Sequence, residues 1–282
     1  MSMGSDTVSL ERLEEILSEQ TNELFIALSG GIDSITLMSV AAKVRSAPTV
    51  AVHAVSAAVP SDATVRCREL AAKYNWQLLE LDAGEFSNKQ YLANPVNRCY
   101  YCKSSLFDSI TSHLGSNSCI ATGTNRDDLG DYRPGLNAAG ERGVWQPFVE
   151  AGVGKNEIRK IAVQYGLGEL SQLPAQPCLS SRIETGININ TDDLGFVYQM
   201  EKALTTHLGA GDIRCRIVSG GVVVQLPADS CVFTNKSDRQ STETLIERIC
   251  SEKQRKFLKI EPYKMGSAFV HKEKDGVVTR RV

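Results

Sequence analysis

A chain of 282 residues has room for one large or two modest domains, and 42% hydrophobic with 23% charged residues is a globular composition, neither disordered nor fibrous. A net charge of −2 gives no overall field for nucleic acid. No apolar run approaches the roughly 18 residues of a bilayer span, and Glu11, Glu14, Glu15 and Glu19 interrupt any apolar signal core, so a cytoplasmic protein with neither membrane nor nucleic acid as partner is expected.

Leu10, Leu13, Ile16 and Leu17 recur at helical spacing and predict an amphipathic helix over 7–20. Residues 24–28 are a short apolar run that reads as a buried strand, and Ile35, Leu37, Met38, Ala41 and Ala42 continue as a helix to about Arg45. A second strand is expected over 49–55, a helix from Pro60-Ser61-Asp62 to about Asn75, a third strand over 77–81, a helix over 103–114 and a fourth strand over 118–122. Strands alternating with helices predict the α/β class, a doubly wound parallel sheet covered on both faces. Next come an irregular stretch over 127–156, a helix over 157–165 and another irregular stretch over 174–182. From Thr191 the pattern changes to a helix ending near Leu208, strands over 213–218 and 222–226, a helix near 240–255 and a strand near 257–262. That is a smaller α+β domain, which divides the chain into 1–186 and 187–282.

Between the first strand and its helix stands Ser29-Gly30-Gly31-Ile32-Asp33-Ser34. Such a turn aims backbone N–H groups and a helix N-terminus at one point, a site for phosphate. The glycines allow close approach and positive φ, and the Ser29 and Ser34 hydroxyls add donors. Asp33 is the odd member, because a carboxylate beside phosphates repels them unless a cation lies between, and this points to Mg²⁺. No Gly-Lys-Ser/Thr closes the loop, so it is not a Walker A motif. The hexapeptide resembles the SGGxDS signature of the PP-loop ATP pyrophosphatases. That resemblance implies an adenine nucleotide alpha hydrolase-like fold and cleavage of ATP between its α and β phosphates to adenylate a substrate.

Ligands of doubly wound sheets lie beyond the strands' carboxyl ends, which here are Ser29-Gly30-Gly31, Ser56 and Gly123-Thr124-Asn125. In the continuation to Gly135, Asp127 and Asp128 suit Mg²⁺ and Arg133 suits a phosphate or carboxylate. From these residues alone a polar turn capping a helix is the favoured reading, and the neighbouring Ser-Gly-Gly turn is what shifts the balance toward a ligand site. Eight cysteines in a reducing compartment are seldom disulfides. Cys67, Cys119, Cys215, Cys231 and Cys250 stand singly and read as core or surface residues. Cys99-x-x-Cys102 at a helix start suits metal, cluster or redox work, and with Cys178 makes three thiols, enough for a [4Fe–4S] cluster with one iron open. Cys178, in a loop before Ser180, Ser181 and Arg182, also suits a nucleophile. His53, His113, His207 and His271 form no ligand spacing.

The runs GTNRDDLGDYRPG, Pro147-Phe148-Val149-Glu150-Ala151-Gly152, the segment with Lys155, Glu157, Ile158 and Arg159, and PCLSSRI resemble the LarE family of ATP-dependent sulfur transferases. The resemblance covers most of 10–230. It implies a small-molecule substrate, pyridinium-3,5-biscarboxylic acid mononucleotide, whose carboxylates are adenylated and become thiocarboxylates on the way to the nickel-pincer nucleotide cofactor. It further implies that Cys178 is the sulfur-donating position and that Cys99 and Cys102 match the three-cysteine, cluster-bearing subset. In that subset sulfide on the open iron replaces sacrifice of the cysteine sulfur. The family's homo-oligomers, its phosphate-binding arginines at Arg214 and Arg216, and its carboxylate at Glu201 carry over as expectations, with Arg182 and Arg133 as further substrate contacts. By alternation Arg214 and Arg216 share a strand face, which also describes a solvated basic edge. A PP-loop tRNA thiolase with the same cysteine set is the competing reading, and it needs a basic surface that this composition lacks. An ATP-binding sensor is the third, and it leaves Asp33 and the cysteines unexplained.

Overall fold

The computed structural model describes residues 3–115, 117–130, 133–174, 176–209, 211–264, 270–272 and 278–280; Asp131 and Tyr132 of the GTNRDDLGDYRPG run, and the His271 side chain, lie outside the described part. Its contacts divide the chain into two units, one of Met1–Asn88 with Cys99–Gln176, the other of Lys89–Arg98 with Pro177–Val282. The boundary expected near Gly186 therefore falls inside the second unit, which starts nine residues earlier and also takes in 89–98. Asn94 shows why: its side-chain amide donates to the carbonyls of Ile183, Glu184 and Ile187 at 3.3, 2.9 and 3.0 Å.

The first unit is an α/β layer structure. Strands β1 (Glu23–Ala27), β2 (Thr49–Ala54), β3 (Gln77–Leu81) and β4 (Ser118–Thr122) form a parallel sheet in the order β3-β2-β1-β4. Helices α1 (Met3–Glu19), α2 (Ile32–Val44), α3 (Ser61–Tyr74), α4 (Lys89–Leu92) and α5 (Arg98–Thr111) lie among these strands in sequence; α4 and the first residue of α5 count with the second unit. The sheet is apolar on both faces, as the unbroken hydrophobic runs require. Leu24 and Ile26 of β1 join Leu13, Leu17, Ile35 and Met38 in one core cluster, while Phe25 joins Val50, Val52, Phe107 and Ile120 in the other. The chain runs outward from β1 to β3 and then returns to place β4 on the other side of β1, so the strand order reverses beside β1.

The stretch over 127–156 is less irregular than the sequence indicates. It holds a 3-10 turn at Arg126–Gly130 and helices α6 (Pro134–Glu141) and α7 (Pro147–Glu150), before α8 (Lys155–Gln164). Both prolines stand at the first positions of their helices. There the missing N–H has no partner to lose, so a residue that reads as a breaker is a helix start.

In the second unit, α9 (Thr191–Leu208) precedes β5 (Arg214–Val218) and β6 (Gly221–Leu226), an antiparallel pair; α10 (Lys236–Glu252) leads to β7 (Phe257–Pro262), parallel to β6. A two-stranded antiparallel pair, β8 (Val270–Lys272) and β9 (Val278–Arg280), was not legible in the sequence. Among the described residues no helix is long and apolar enough to cross a membrane.

Cys67, Cys215 and Cys250 are buried in their cores, as expected for packing cysteines. Burial pushes the Cys67 thiol up from 9.0 to about 12. The folded state then keeps a proton that the unfolded chain releases, so this contribution to stability is whole below about pH 9 and declines as pH rises toward the folded value. Cys67→Ala should make the fall in unfolding free energy between about pH 9 and 11 shallower, by up to about 1.4 kcal/mol per pH unit in urea titrations. Parallel slopes for variant and parent would show that this thiol is not what titrates.

Candidate active site

The Ser29–Ser34 turn leaves β1 and enters α2. Gly30 has φ +77°, and a Cβ there would stand 2.9 Å from the Ala63 carbonyl oxygen of α3, so glycine is required twice over. The turn is braced by its own serines: Ser29 N donates to Ser34 Oγ at 3.1 Å, Ser34 Oγ to Gly31 O at 3.1 Å, and Gly31 N to Ser29 Oγ at 3.3 Å. Gly31, the N-cap of α2, provides no side-chain cap. The first N–H groups of α2, at Ile32, Asp33 and Ser34, have no acceptor within the helix, and they point with the helix dipole at whatever anion the turn holds.

Beyond β4, Gly123 lies against this turn. A Cβ on it would stand 2.7 Å from Ser34 N and 2.9 Å from the Asp33 carbonyl carbon, both backbone atoms that cannot swing aside. The end of β4 therefore lies beside the Ser29–Ser34 turn. Gly123→Ala should lower stability by about 1–3 kcal/mol, and if the turn binds ATP it should also abolish any rise in melting temperature on adding ATP. Melts with and without ATP test this, and an unchanged ATP-dependent rise would contradict the close approach.

Asp33 does not stand alone. Lys155 Nζ lies 2.5 and 2.6 Å from its two carboxylate oxygens, and Asn125 Nδ2 donates to Oδ2 at 3.4 Å. Lys155 opens α8, and its position is set by the loop after β4: Asp127 Oδ2 accepts from Lys155 N at 2.7 Å, and Arg126 donates to Gly152 O at 2.8 Å. Asp127 is therefore a helix cap. Asp128 accepts from Asn125 N at 3.1 Å and pairs with Arg133 at 2.8 Å. Thr124 Oγ1 is 3.1 Å from Thr122 Oγ1, and Ser56 Oγ accepts from Ala58 N at 3.2 Å. Arg66 of α3 donates to Gly30 O at 2.8 Å and to Gln176 Oε1 at 3.1 Å, bringing to the Ser29–Ser34 turn a guanidinium that sequence reasoning missed. A residue five places into a helix after the second strand carries no local signal of this. His53 is buried, with Nδ1 2.8 Å from Leu28 O and Nε2 2.9 Å from Thr64 Oγ1. A carbonyl only accepts, so Nδ1 bears the proton, and the ring fixes the chain just before the turn.

In the second unit, Cys178 heads a 3-10 turn, Leu179–Arg182, and is partly exposed. Arg182 is buried with Glu201 in a two-pronged ion pair, Nε–Oε1 2.9 Å and Nη2–Oε2 2.9 Å, so these two expected substrate residues hold each other. Arg182 Nη1 turns back to the carbonyls of Pro177 and Cys178 at 2.6 and 3.1 Å. Arg214 and Arg216 flank the buried Cys215 on β5. Arg214 pairs with Asp212 at 3.1 Å and lies over the Tyr263 ring, 5.5 Å from its centroid. Arg216 donates to Gln225 Oε1 at 3.0 Å and Ser181 O at 2.7 Å. Burial, and next the charge of Arg182, lower its pKa to about 10.

Cys99 and Cys102 fall in the first turn of α5, three residues apart and so on one helix side; both are partly exposed and neither is in a disulfide. They count with the first unit and Cys178 with the second. Among the described residues no three His, Cys, Asp or Glu side chains are gathered to hold a metal ion. The donors nonetheless suit the expected groups. Thiols outside any disulfide are cluster ligands by type, and Asp33 is a carboxylate, a magnesium ligand by type, paired here with Lys155.

No protein-family model matches the chain. The uncharacterized protein slr1717 of Synechocystis sp. is 38% identical over 226 residues, 78% of this chain and 82% of that protein. The uncharacterized protein MJ0830 of Methanocaldococcus jannaschii is 27% identical over 235 residues, 81% of this chain and 88% of its own. The pyridinium-3,5-bisthiocarboxylic acid mononucleotide synthase of Lactiplantibacillus plantarum is 28% identical over 222 residues, 76% of this chain and 80% of its own.

Proposed function

We propose that the chain, which belongs to the family of the Synechocystis sp. protein slr1717, is an ATP-dependent sulfur transferase of the LarE type. Its substrate in this reading is pyridinium-3,5-biscarboxylic acid mononucleotide, with the bisthiocarboxylic acid of the Lactiplantibacillus relative's name as product. The observation that carries the reading is the phosphate turn with Asp33 and Gly123 packed into it, in a chain similar to a protein named for a thiocarboxylate product.

The chemistry follows from what a carboxylate lacks. Its oxygens are poor leaving groups, so sulfur cannot replace one directly. Attack of a carboxylate oxygen on the α-phosphorus of ATP expels pyrophosphate and leaves an acyl adenylate. Attack of sulfur on the acyl carbon then expels AMP, which carries away that oxygen, and a thiocarboxylate remains. The α2 N–H groups, Ser29 and Ser34 would hold the phosphates. Asp33, with Asp128 as the second expected carboxylate, would hold Mg²⁺, which when bound neutralises the departing pyrophosphate. Lys155 would leave Asp33 for the phosphates as the metal arrives. Ser56, Gly123 and Thr124 line the nucleotide side of the crevice in this reading, Arg214 and Arg216 meet the substrate phosphate, and Arg133 a further anionic group.

For the sulfur we favour the three-cysteine route, in which Cys99, Cys102 and Cys178 hold a [4Fe–4S] cluster that supplies sulfide at its open iron. In the other route Cys178 Sγ displaces AMP to give a thioester, and loss of the Cys178 α-proton with cleavage of its Cβ–Sγ bond releases the thiocarboxylate and leaves dehydroalanine. The remaining elements of the reading are a homo-oligomer in the cytoplasm that needs no nucleic acid or membrane. Incubation of the protein with ATP, Mg²⁺ and the pyridinium mononucleotide should yield AMP and pyrophosphate only when the mononucleotide is present. AMP formation that depends on tRNA would replace this reading with the thiolase, and absence of turnover with either would leave a nucleotide sensor.

A further inference from the structure

We propose that Arg182 and Glu201 are positioning residues that fix the backbone of the Cys178 loop and do not themselves bind substrate. The inference rests on the reading of Cys178 as the sulfur-bearing position, but its geometry and its test do not require turnover.

The loop has little of its own to hold it. Pro177 has no N–H, and the turn closes through Ser181 N to Cys178 O at 3.0 Å and Ile183 N to Ser180 O at 3.2 Å. A partly exposed thiol on so short a turn would sample several directions unless the neighbouring carbonyls were held by further contacts. Arg182 does this from within the loop, because one guanidinium nitrogen, Nη1, donates to the carbonyl before the thiol residue and to that of the thiol residue itself. It also reaches Ser181 Oγ at 3.0 Å.

The guanidinium can bend back in this way only because its other edge is anchored. Nε and Nη2 are held by both oxygens of Glu201, and Glu201 Oε1 also accepts from Cys215 N of β5 at 3.0 Å. The chain of support therefore runs from the Cys178 carbonyl through Arg182 to Glu201 on α9 and to the β5 backbone. Two more contacts act on the same turn: Tyr91 OH with Ser180 Oγ at 2.6 Å, both buried, and Arg216 on Ser181 O. The Arg182 and Glu201 side chains are 5% and 14% exposed and spent on each other, which leaves the Glu201 carboxylate little with which to meet a substrate. A planar fork locked at both edges is the arrangement in which arginine fixes direction as well as charge.

The test uses the full chain without substrate, after chelation of metal. The rate of Cys178 alkylation by iodoacetamide is read by peptide mass spectrometry, beside amide hydrogen exchange over 178–183. Removing one partner strands a buried charge and threatens folding, whereas replacing both by apolar residues does not. The informative variant is therefore R182M/E201L, with R182K as the form that keeps the charge and loses the fork. Val224→Ala in β6 controls for general destabilisation. Both clamp variants should alkylate Cys178 about fivefold or more faster than the parent, with faster exchange in the turn, while the β6 variant does neither. Parental alkylation and exchange rates in folded R182M/E201L would overturn the proposal. So would an equal acceleration in the β6 variant. Glu201→Gln that weakens pyridinium mononucleotide binding without changing alkylation would assign Glu201 to the substrate instead.

Discussion

Asp33→Asn is expected to slow AMP formation by about two to three orders of magnitude, the scale on which loss of a charge-stabilising group acts in a transition state. Asparagine keeps the shape and a hydrogen-bonding oxygen, so the turn and its serine braces need not move. It loses the charge that would hold a divalent cation between protein and pyrophosphate. The fold should scarcely notice. The Asp33 and Lys155 side chains are 23% and 35% exposed, and an ion pair so placed contributes at most about 1 kcal/mol. Unfolding curves for parent and variant should nearly superimpose, and the Mg²⁺ dependence of ATP binding should flatten. Native-rate AMP formation by the variant would show that the carboxylate holds no metal needed for adenylation.

Cys178→Ser should abolish thiocarboxylate formation altogether. A serine oxygen has no sulfur to give and is a poor iron ligand, so both sulfur routes fail. Adenylation needs only the nucleotide cradle, so substrate-dependent release of pyrophosphate should persist. Cys99→Ser and Cys102→Ser then separate the routes. If a cluster supplies the sulfur, each loses iron and acid-labile sulfide together with multiple turnover. If Cys178 is sacrificed, each still completes one turnover, after which the Cys178 peptide lacks one H₂S. Full activity of Cys178→Ser would remove this thiol from either scheme.

What the sequence reveals of this protein is mostly what is local. A strand, a Gly-Gly turn and a helix start lie within some twenty consecutive residues, so the Ser29–Ser34 turn is read directly from hydrophobic period and glycine placement. Gly123 follows from the same logic one step removed, since parallel strands bring their carboxyl ends to one edge. The partner of Asp33 does not. Lys155 is 122 residues away, and only the docking of the 126–128 loop on the start of α8 puts its ammonium there. The Arg182–Glu201 pair is hidden for the same reason. Arg182 and Glu201 each read as substrate contacts, and nothing local shows that they pair with one another until α9 and the Cys178 turn are packed together. Residues 89–98 are the clearest loss. Nothing in their composition shows that Asn94 will carry the carbonyls of 183, 184 and 187, because an asparagine before a proline reads as a turn residue. Pro134 and Pro147 err in the opposite direction, since a proline's position within a helix cannot be told from its presence.

In the proposed reaction a carboxylate of the substrate, and no other atom, attacks ATP. Pyridinium mononucleotide labelled with ¹⁸O in both carboxylates tests it in one measurement, the mass of the AMP released. Each adenylation followed by sulfur attack should deliver one labelled oxygen to AMP for every thiocarboxylate made. Unlabelled AMP alongside thiocarboxylate, or ADP and phosphate in its place, would contradict the account.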